Sequence, residues 1–326
     1  MPPAFSGWTF RALPGTPCDT MNHAPDRTLP GVALMLAFCV TAPMMDVAAK
    51  LAAATVPVGQ ITAARFLLQG VIMLPVAWAM GLSLAVTPRL AAMLALRALM
   101  LILATFSFVA AIAIMPLADA LAIAFVEPFI VLLIGRLALG DEVGPRRIAA
   151  CLVGFGGAML VIQPSLTVFG TVALLPLVTA FTFAFYILVT RAISDRVHPV
   201  AMQASTSIAG VVLCLPVLML AEGSGAASLD PVMPQGLAWV WLAGVGVWAA
   251  VSHICMTYAL KFAPSSTLAP LHYFEIVMAV ILGLTVFGDF PDTLTWTGIA
   301  VICGAGLYVI HRERLAARRR LAAIRA

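Results

Sequence analysis

Glu127 and Glu275 stand 148 residues apart, each inside a long apolar run. An ionisable side chain at bilayer depth costs about 2.5–3.5 kcal/mol even on insertion scales, so such a residue should face a cavity or a partner. A carboxyl group there can carry a proton, take a solute amine, or hydrogen-bond a neighbouring helix. For Glu127 the last reading draws support from Pro128, which disturbs the local helical ladder. His272 precedes Glu275 by three residues, with Tyr273 between them, and His253, Thr257, Tyr258 and Trp248 decorate the preceding run. Rings with a few polar tips suit an organic solute. Trp and Tyr also collect at membrane interfaces without any ligand, and Trp239 and Trp241 read as such belt residues.

Asp46 and Lys50, spaced i, i+4, can pair along one helix face or serve at an outer gate. Arg65 shares a face with Ile61, Thr62 and Gln69 and has no acid three or four residues away. Its charge must be met from elsewhere, by Asp46 or Glu127, and it would either hold an anionic solute group or lock two helices together. The expected substrate pathway is thus Asp46, Lys50, Arg65, Gln69, Glu127, Tyr258, His272, Tyr273 and Glu275. Phe181, Phe183, Phe185 and Tyr186 spread around one helix, so at most half can face inward.

Other chemistry finds little footing. Five of the six cysteines fall in apolar runs, no CxxC or Cys/His pair has zinc spacing, and no GxxxxGK[ST] sequence is present. No metal, cofactor or built-in ATPase is expected. Asp141 and Asp289 lie in ALGD and VFGD, where an intramembrane aspartyl protease would need GxGD, and Ala138 and Val286 occupy the required glycine position.

The elements that must position these residues follow from composition. The chain of 326 residues is 63% hydrophobic and 10% charged, with a mean hydropathy of +1.07, against about 45–50% apolar and 25% charged in soluble domains. Most side chains must therefore face lipid. Ten apolar runs of membrane-crossing length are predicted at about 32–51, 58–80, 97–115, 118–138, 147–163, 169–190, 200–221, 236–259, 265–287 and 294–311. With the N-terminus inside, all basic residues except Lys50 and Arg65 fall on inner segments, Arg97 among them, while Glu222, Asp230, Asp289 and Asp292 fall outside. Both termini are then cytoplasmic.

A shift of 148 positions lays Pro116 on Pro264, Glu127 on Glu275, Gly140 and Asp141 on Gly288 and Asp289, and Gly156 on Gly304. Five helices per copy is an odd number, so the second copy enters from the opposite face. The fold class expected is an all-α polytopic membrane protein of ten transmembrane helices in two inverted five-helix repeats, at 31–163 and 168–311. Residues 1–30, with a start at Met21 as an alternative, read as a disordered cytoplasmic tail, and 312–326 as a basic cytoplasmic tail. Glycines 154, 156, 157, 298, 304 and 306 read as helix-packing positions, and Pro43, Pro128, Pro176 and Pro270 as mid-span hinges.

The stretches from Ala110 to Ile162 and from Thr257 to Ile310 resemble the repeat unit of the EamA-type drug/metabolite transporter superfamily. Each has a Pro near the start of a helix, a small apolar helix, a Gly-acid turn (LGDE, FGDF) and a Gly-rich last helix. The usual turn Glu is Asp141 or Asp289 here, a mild departure. The resemblance implies a ten-helix carrier whose first four helices in each half surround a central cavity, with the fifth and tenth peripheral. Within the superfamily it is strongest to the branch of riboflavin and S-adenosylmethionine carriers.

The expectation is a secondary transporter, not an enzyme, moving a small organic metabolite across a cell inner membrane by alternating access. Riboflavin, S-adenosylmethionine and amino-acid-like solutes are the candidates. Its partners would be that solute, membrane lipid, a proton or counter-substrate, and in a homodimer a second copy, with no nucleic acid. The alternative is a membrane enzyme or a receptor or scaffold without transport.

Overall fold

The computed structural model describes residues 28–131, 134, 145–194, 196–262, 271–272 and 274–325. Tyr273, Asp141 and Pro270 lie outside the described residues, as does the tail 1–27. All regular structure among the described residues is helical: α1 Thr28–Ala52, α2 Val58–Ala79, α3 Pro88–Ile112, α4 Leu117–Ala124, α5 Pro145–Phe169, α6 Leu175–Ile193, α7 Pro199–Ala221, α8 Ala238–Phe262, α9 Phe274–Leu282 and α10 Thr293–Arg325. Six stretches among them are long and apolar enough to cross a membrane: Leu29–Ala52, Val58–Ala79, Pro88–Ile112, Ser165–Ile193, Pro199–Ala221 and Ala238–Phe262. Lipid-length helices satisfy their own backbone groups, as hydrocarbon requires. Their outward faces carry large apolar side chains such as Leu220, Val212 and Phe181, consistent with lipid as their solvent.

The helix starts follow local rules. Pro88 opens α3 and Pro199 opens α7, where a missing N–H costs nothing. His198 caps α7, its Nδ1 accepting from the Val200 N–H at 3.4 Å. Partial burial, and then the charge of Lys261, lower the pKa of this imidazole, which keeps Nδ1 free to accept. Pro43 lies inside α1 as expected. Pro176 lies within the Ser165–Ile193 stretch but in the first turn of α6, behind a 3₁₀ turn at Gly170–Leu174, and not inside a continuous helix. The fourth apolar run is interrupted after Ala124, with Phe125 and Val126 in a turn, and helix resumes at Glu127. Pro128 accounts for the break, because it has no N–H to give the Ala124 carbonyl four residues back and its ring crowds that carbonyl. Helix α9 passes into a π-helical turn, Gly283–Phe287, and stops at Gly288, whose φ of 72° suits a residue without Cβ. The basic segment after residue 311 continues α10 as helix to Arg325.

Helix packing is specific. α1 packs on α8 and α9, α2 on α7 and α8, α3 on α6 and α7, α4 on α6 and α9, and α5 on α10. The last pair approaches closely at Gly157 and Gly298. A Cβ built on Gly298 would stand 2.7 Å from the Gly157 carbonyl, and one on Gly157 would stand 3.1 Å from that of Gly298. Gly154 makes room for the Phe129 ring. Gly156 and Gly304 face open space, so they play no part in packing within the chain.

The loops gather at two ends. At one, the 80–90 connection, the turn before α7 and the end of α8 share apolar clusters. Arg89, Arg191, Arg196 and Lys261 belong there by chain position. At the other, the loop after α7 reaches the start of α2, where the Gly59 N–H donates to the Ser228 carbonyl at 2.8 Å. Lys50, Met115 and Asp289 meet at this same end.

Candidate functional site in the helix bundle

Helices α1, α2, α3, α4, α6, α8 and the residues around the start of α9 converge on a cavity of about 100 Å³. Its walls are mostly apolar, with Phe38, Phe108, Phe125 and Phe183 among them. Six ionisable side chains also line it: Asp46, Arg65, Glu127, His253, His272 and Glu275. Five of the nine residues expected along a pathway are therefore brought together here. The other described members lie elsewhere, and Tyr273 is outside the described residues. Gln69 has no exposed surface and donates through Nε2 to Gln203 Oε1 at 3.1 Å, an amide pair between α2 and α7. Tyr258 packs against the Phe262 ring at a tilt and meets the His198 ring edge-on near the end of α8.

Lys50 departs from its expected partner. It bonds to the Asp289 carboxylate at 3.0 Å and to the Met115 carbonyl at 3.1 Å, and its Nζ stands 4.6 Å from the centre of the Phe287 ring. The i, i+4 spacing left Asp46 within reach, but Asp289 offers a carboxylate beside a carbonyl and a ring face. Asp46 is left on the cavity wall. His272 and Glu275 do pair, Nε2 to Oε2 at 2.9 Å, as one helical turn allows. The His272 ring is flanked by Phe38 and Phe125 at centroid distances of 5.4 and 5.2 Å.

Arg65 meets neither acid named for it. Its NH1 donates to Thr105 Oγ1 and its NH2 to His253 Nε2. A guanidinium has donors only, so Nε2 must accept and the ring proton sits on Nδ1. Nδ1 in turn lies 3.2 Å from the Tyr186 hydroxyl. That hydroxyl also accepts from NH2 of Arg97 at 2.8 Å. Arg97 further donates through Nε to Thr190 Oγ1 at 2.8 Å and through NH1 to Thr206, and it lies 4.5 Å from the centre of the Tyr186 ring. The chain Arg65–His253–Tyr186–Arg97 thus ties α2 and α3 to α6, α7 and α8. Among the described residues the ion pairs are Lys50–Asp289 and His272–Glu275, and neither guanidinium has a carboxylate at salt-bridge distance.

Arg97 was expected among the inner-end charges. It is instead fully buried, nine residues into α3, because that helix starts at Pro88 and carries the residue about 13 Å along its axis. Of the four aromatics in the sixth run, Phe183 and Tyr186 turn inward and stack at 5.2 Å, while Phe181 and Phe185 are exposed.

The model of the EamA-like transporter family matches residues 29–163 and 170–311. Among curated proteins, a riboflavin transporter of Rhizobium johnstonii is 30% identical over 64% of this chain and 66% of its own length. An S-adenosylmethionine uptake transporter of Rickettsia felis is 24% identical over 92% of this chain and 99% of its own. A protein of known crystal structure shares the fold, with a TM-score of 0.62 at 20% identity, over 90% of this chain and 98% of that one. The helices, the cavity between them and the matched residues together make this chain a multi-pass membrane protein that belongs to the EamA-like transporter family.

Proposed function

We propose that this protein is a secondary transporter, not an enzyme, and carries a small organic metabolite through the cavity by alternating access. The observation that carries the reading is the cavity itself, where charged and aromatic side chains from six helices and from the segment after α4 converge inside a bundle whose outer faces are apolar. Buried ionisable groups are costly in such a bundle and mark solute pathways. At about 100 Å³ the cavity is smaller than the roughly 300–1,000 Å³ that encloses a drug-sized ligand, so a metabolite enters only when the surrounding helices separate. The names of the relatives make riboflavin and S-adenosylmethionine the first solutes to test, with amino-acid-like solutes beside them.

The ten helices form two inverted repeats, 31–163 and 168–311, in this reading. The packing supports it. Exchanging the first five helices for the second five turns α1 on α8 into α6 on α3, α1 on α9 into α6 on α4, and α2 on α8 into α7 on α3. The pairs α2 with α7, α4 with α9 and α5 with α10 turn into themselves. The basic end of the bundle is cytoplasmic by the positive-inside rule, which puts both termini inside, the Lys50–Asp289 pair on the outer side, and the protein in a cell inner membrane. Uptake of labelled riboflavin, S-adenosylmethionine and amino acids into proteoliposomes preloaded with the same unlabelled solute tests the reading. Counterflow of at least one is expected. Flux no greater than in protein-free vesicles for a full metabolite panel would refute it.

A further inference from the structure

Among the described residues, two buried guanidiniums, Arg65 at 2% exposure and Arg97 at 0%, are bonded to neutral groups only: Thr105, His253, Tyr186, Thr190 and Thr206. Buried charges are normally paired with opposite charge. Arg65 lines the cavity, two of its five N–H donors are engaged, and its Nε has no partner although it is fully buried. Of the carboxylates facing the same space, Glu275 is taken by His272, while Asp46 on α1 and Glu127 stand beyond salt-bridge distance of the guanidinium. Arg65 therefore brings a cation with donors to spare to the wall of a cavity that carboxylates also line.

We propose, resting on the transport reading above, that the solute binds through a carboxylate docked on Arg65, and that Arg97 is the positioning residue for that site. The carboxylate supplies the missing counter-charge, and the planar fork of a guanidinium matches its two oxygens. Asp46 and Glu127 accept from N–H or O–H groups at the solute's other end. Arg97 holds the Tyr186 hydroxyl, Tyr186 holds the Nδ1 side of His253, and His253 presents the Nε2 lone pair that aims Arg65. Its own positive charge adds to the attraction without touching the solute. Uncharged riboflavin is then a poorer fit than a carboxylate-bearing metabolite.

Matched pairs that differ in the carboxylate alone test this: S-adenosylmethionine with its decarboxylated form, tryptophan with tryptamine, and phenylalanine with phenethylamine, alongside riboflavin. Thermal protection of the purified protein in detergent reads binding, and counterflow is measured separately. The expected result is protection by the carboxylate member of at least one pair, with its partner at least tenfold weaker. Arg65→Gln should erase that difference and Arg65→Lys should restore part of it. Tyr186→Phe should weaken binding severalfold with maximal flux kept. Equal or better binding of the decarboxylated members or of riboflavin, no binding by any pair, or an undiminished preference in Arg65→Gln would overturn the proposal. The wild-type comparison stands even if a variant fails to fold. Failed counterflow with a clear pair difference would sink the transport reading and leave the anion site. Counterflow indifferent to the carboxylate would do the reverse.

Discussion

Arg97 carries a formal charge in a place with no exposed surface, and among the described residues it bonds to three hydroxyls and lies over one ring face. Desolvating an ion costs several kcal/mol, which neutral partners offset only in part. Thr190 and Thr206 already donate to carbonyls of their own helices, so losing the guanidinium strands little. Arg97→Met should accordingly leave the thermal stability of the purified protein unchanged or raise it by about 1–2 kcal/mol, while transport falls. A loss of more than about 3 kcal/mol would mean that the guanidinium is a structural strut. Residue types led to the cavity because an ionisable group in an apolar run is rare: Asp46, Arg65, Glu127, His272 and Glu275 stood out on that ground and share one lining. Arg97, Tyr186 and Thr105 did not. Arg97 read as an end charge because the first nine residues of α3 look like loop, and an aromatic or a threonine in an apolar helix has an ordinary place there. Lys50 misled for another reason, since its partner lies 239 positions away and spacing along one helix cannot reveal it.

At the level of helices, hydropathy located the long members well and the broken ones poorly. The fourth run read as continuous, yet helix stops after Ala124 and restarts at Glu127, because proline chemistry acts on the backbone and leaves hydropathy unchanged. The glycine-rich α5 and α10 separate by position. Gly157 and Gly298 let the two backbones touch, whereas Gly156 and Gly304, one turn face away, meet nothing within 4 Å. Gly298→Val should force the pair apart at a cost of about 1–3 kcal/mol, and Gly304→Ala should stay within about 0.5 kcal/mol of wild type, both read from thermal unfolding in detergent. Equal effects at the two positions would show that α5 and α10 do not pack through these glycines. A glycine count gives no hint of this division, which depends on which face each residue presents.

Across the whole molecule, exchanging the set α1–α5 for the set α6–α10 returns the main helix pairs. Bridges between the sets stand at two levels: Lys50 with Asp289 at one end, and the Arg65–His253–Tyr186–Arg97 chain deeper in the bundle. Carriers of this build work by rocking one set against the other around a fixed site. The proposed repeat draws on equivalent Pro, Glu and Gly residues that recur at one constant offset; which helices touch was not legible, since nothing in a single chain records its partners. The most direct measurement is the accessibility of the cavity from each face of the membrane. Met45 lines it beside Asp46 and belongs to neither ion pair. With the native cysteines replaced and Met45→Cys introduced, a membrane-impermeant maleimide should label this position both in intact cells and in inverted vesicles, and a transported solute should slow both reactions. Labelling from a single face under every condition, or from neither, would contradict a passage that opens alternately to the two sides.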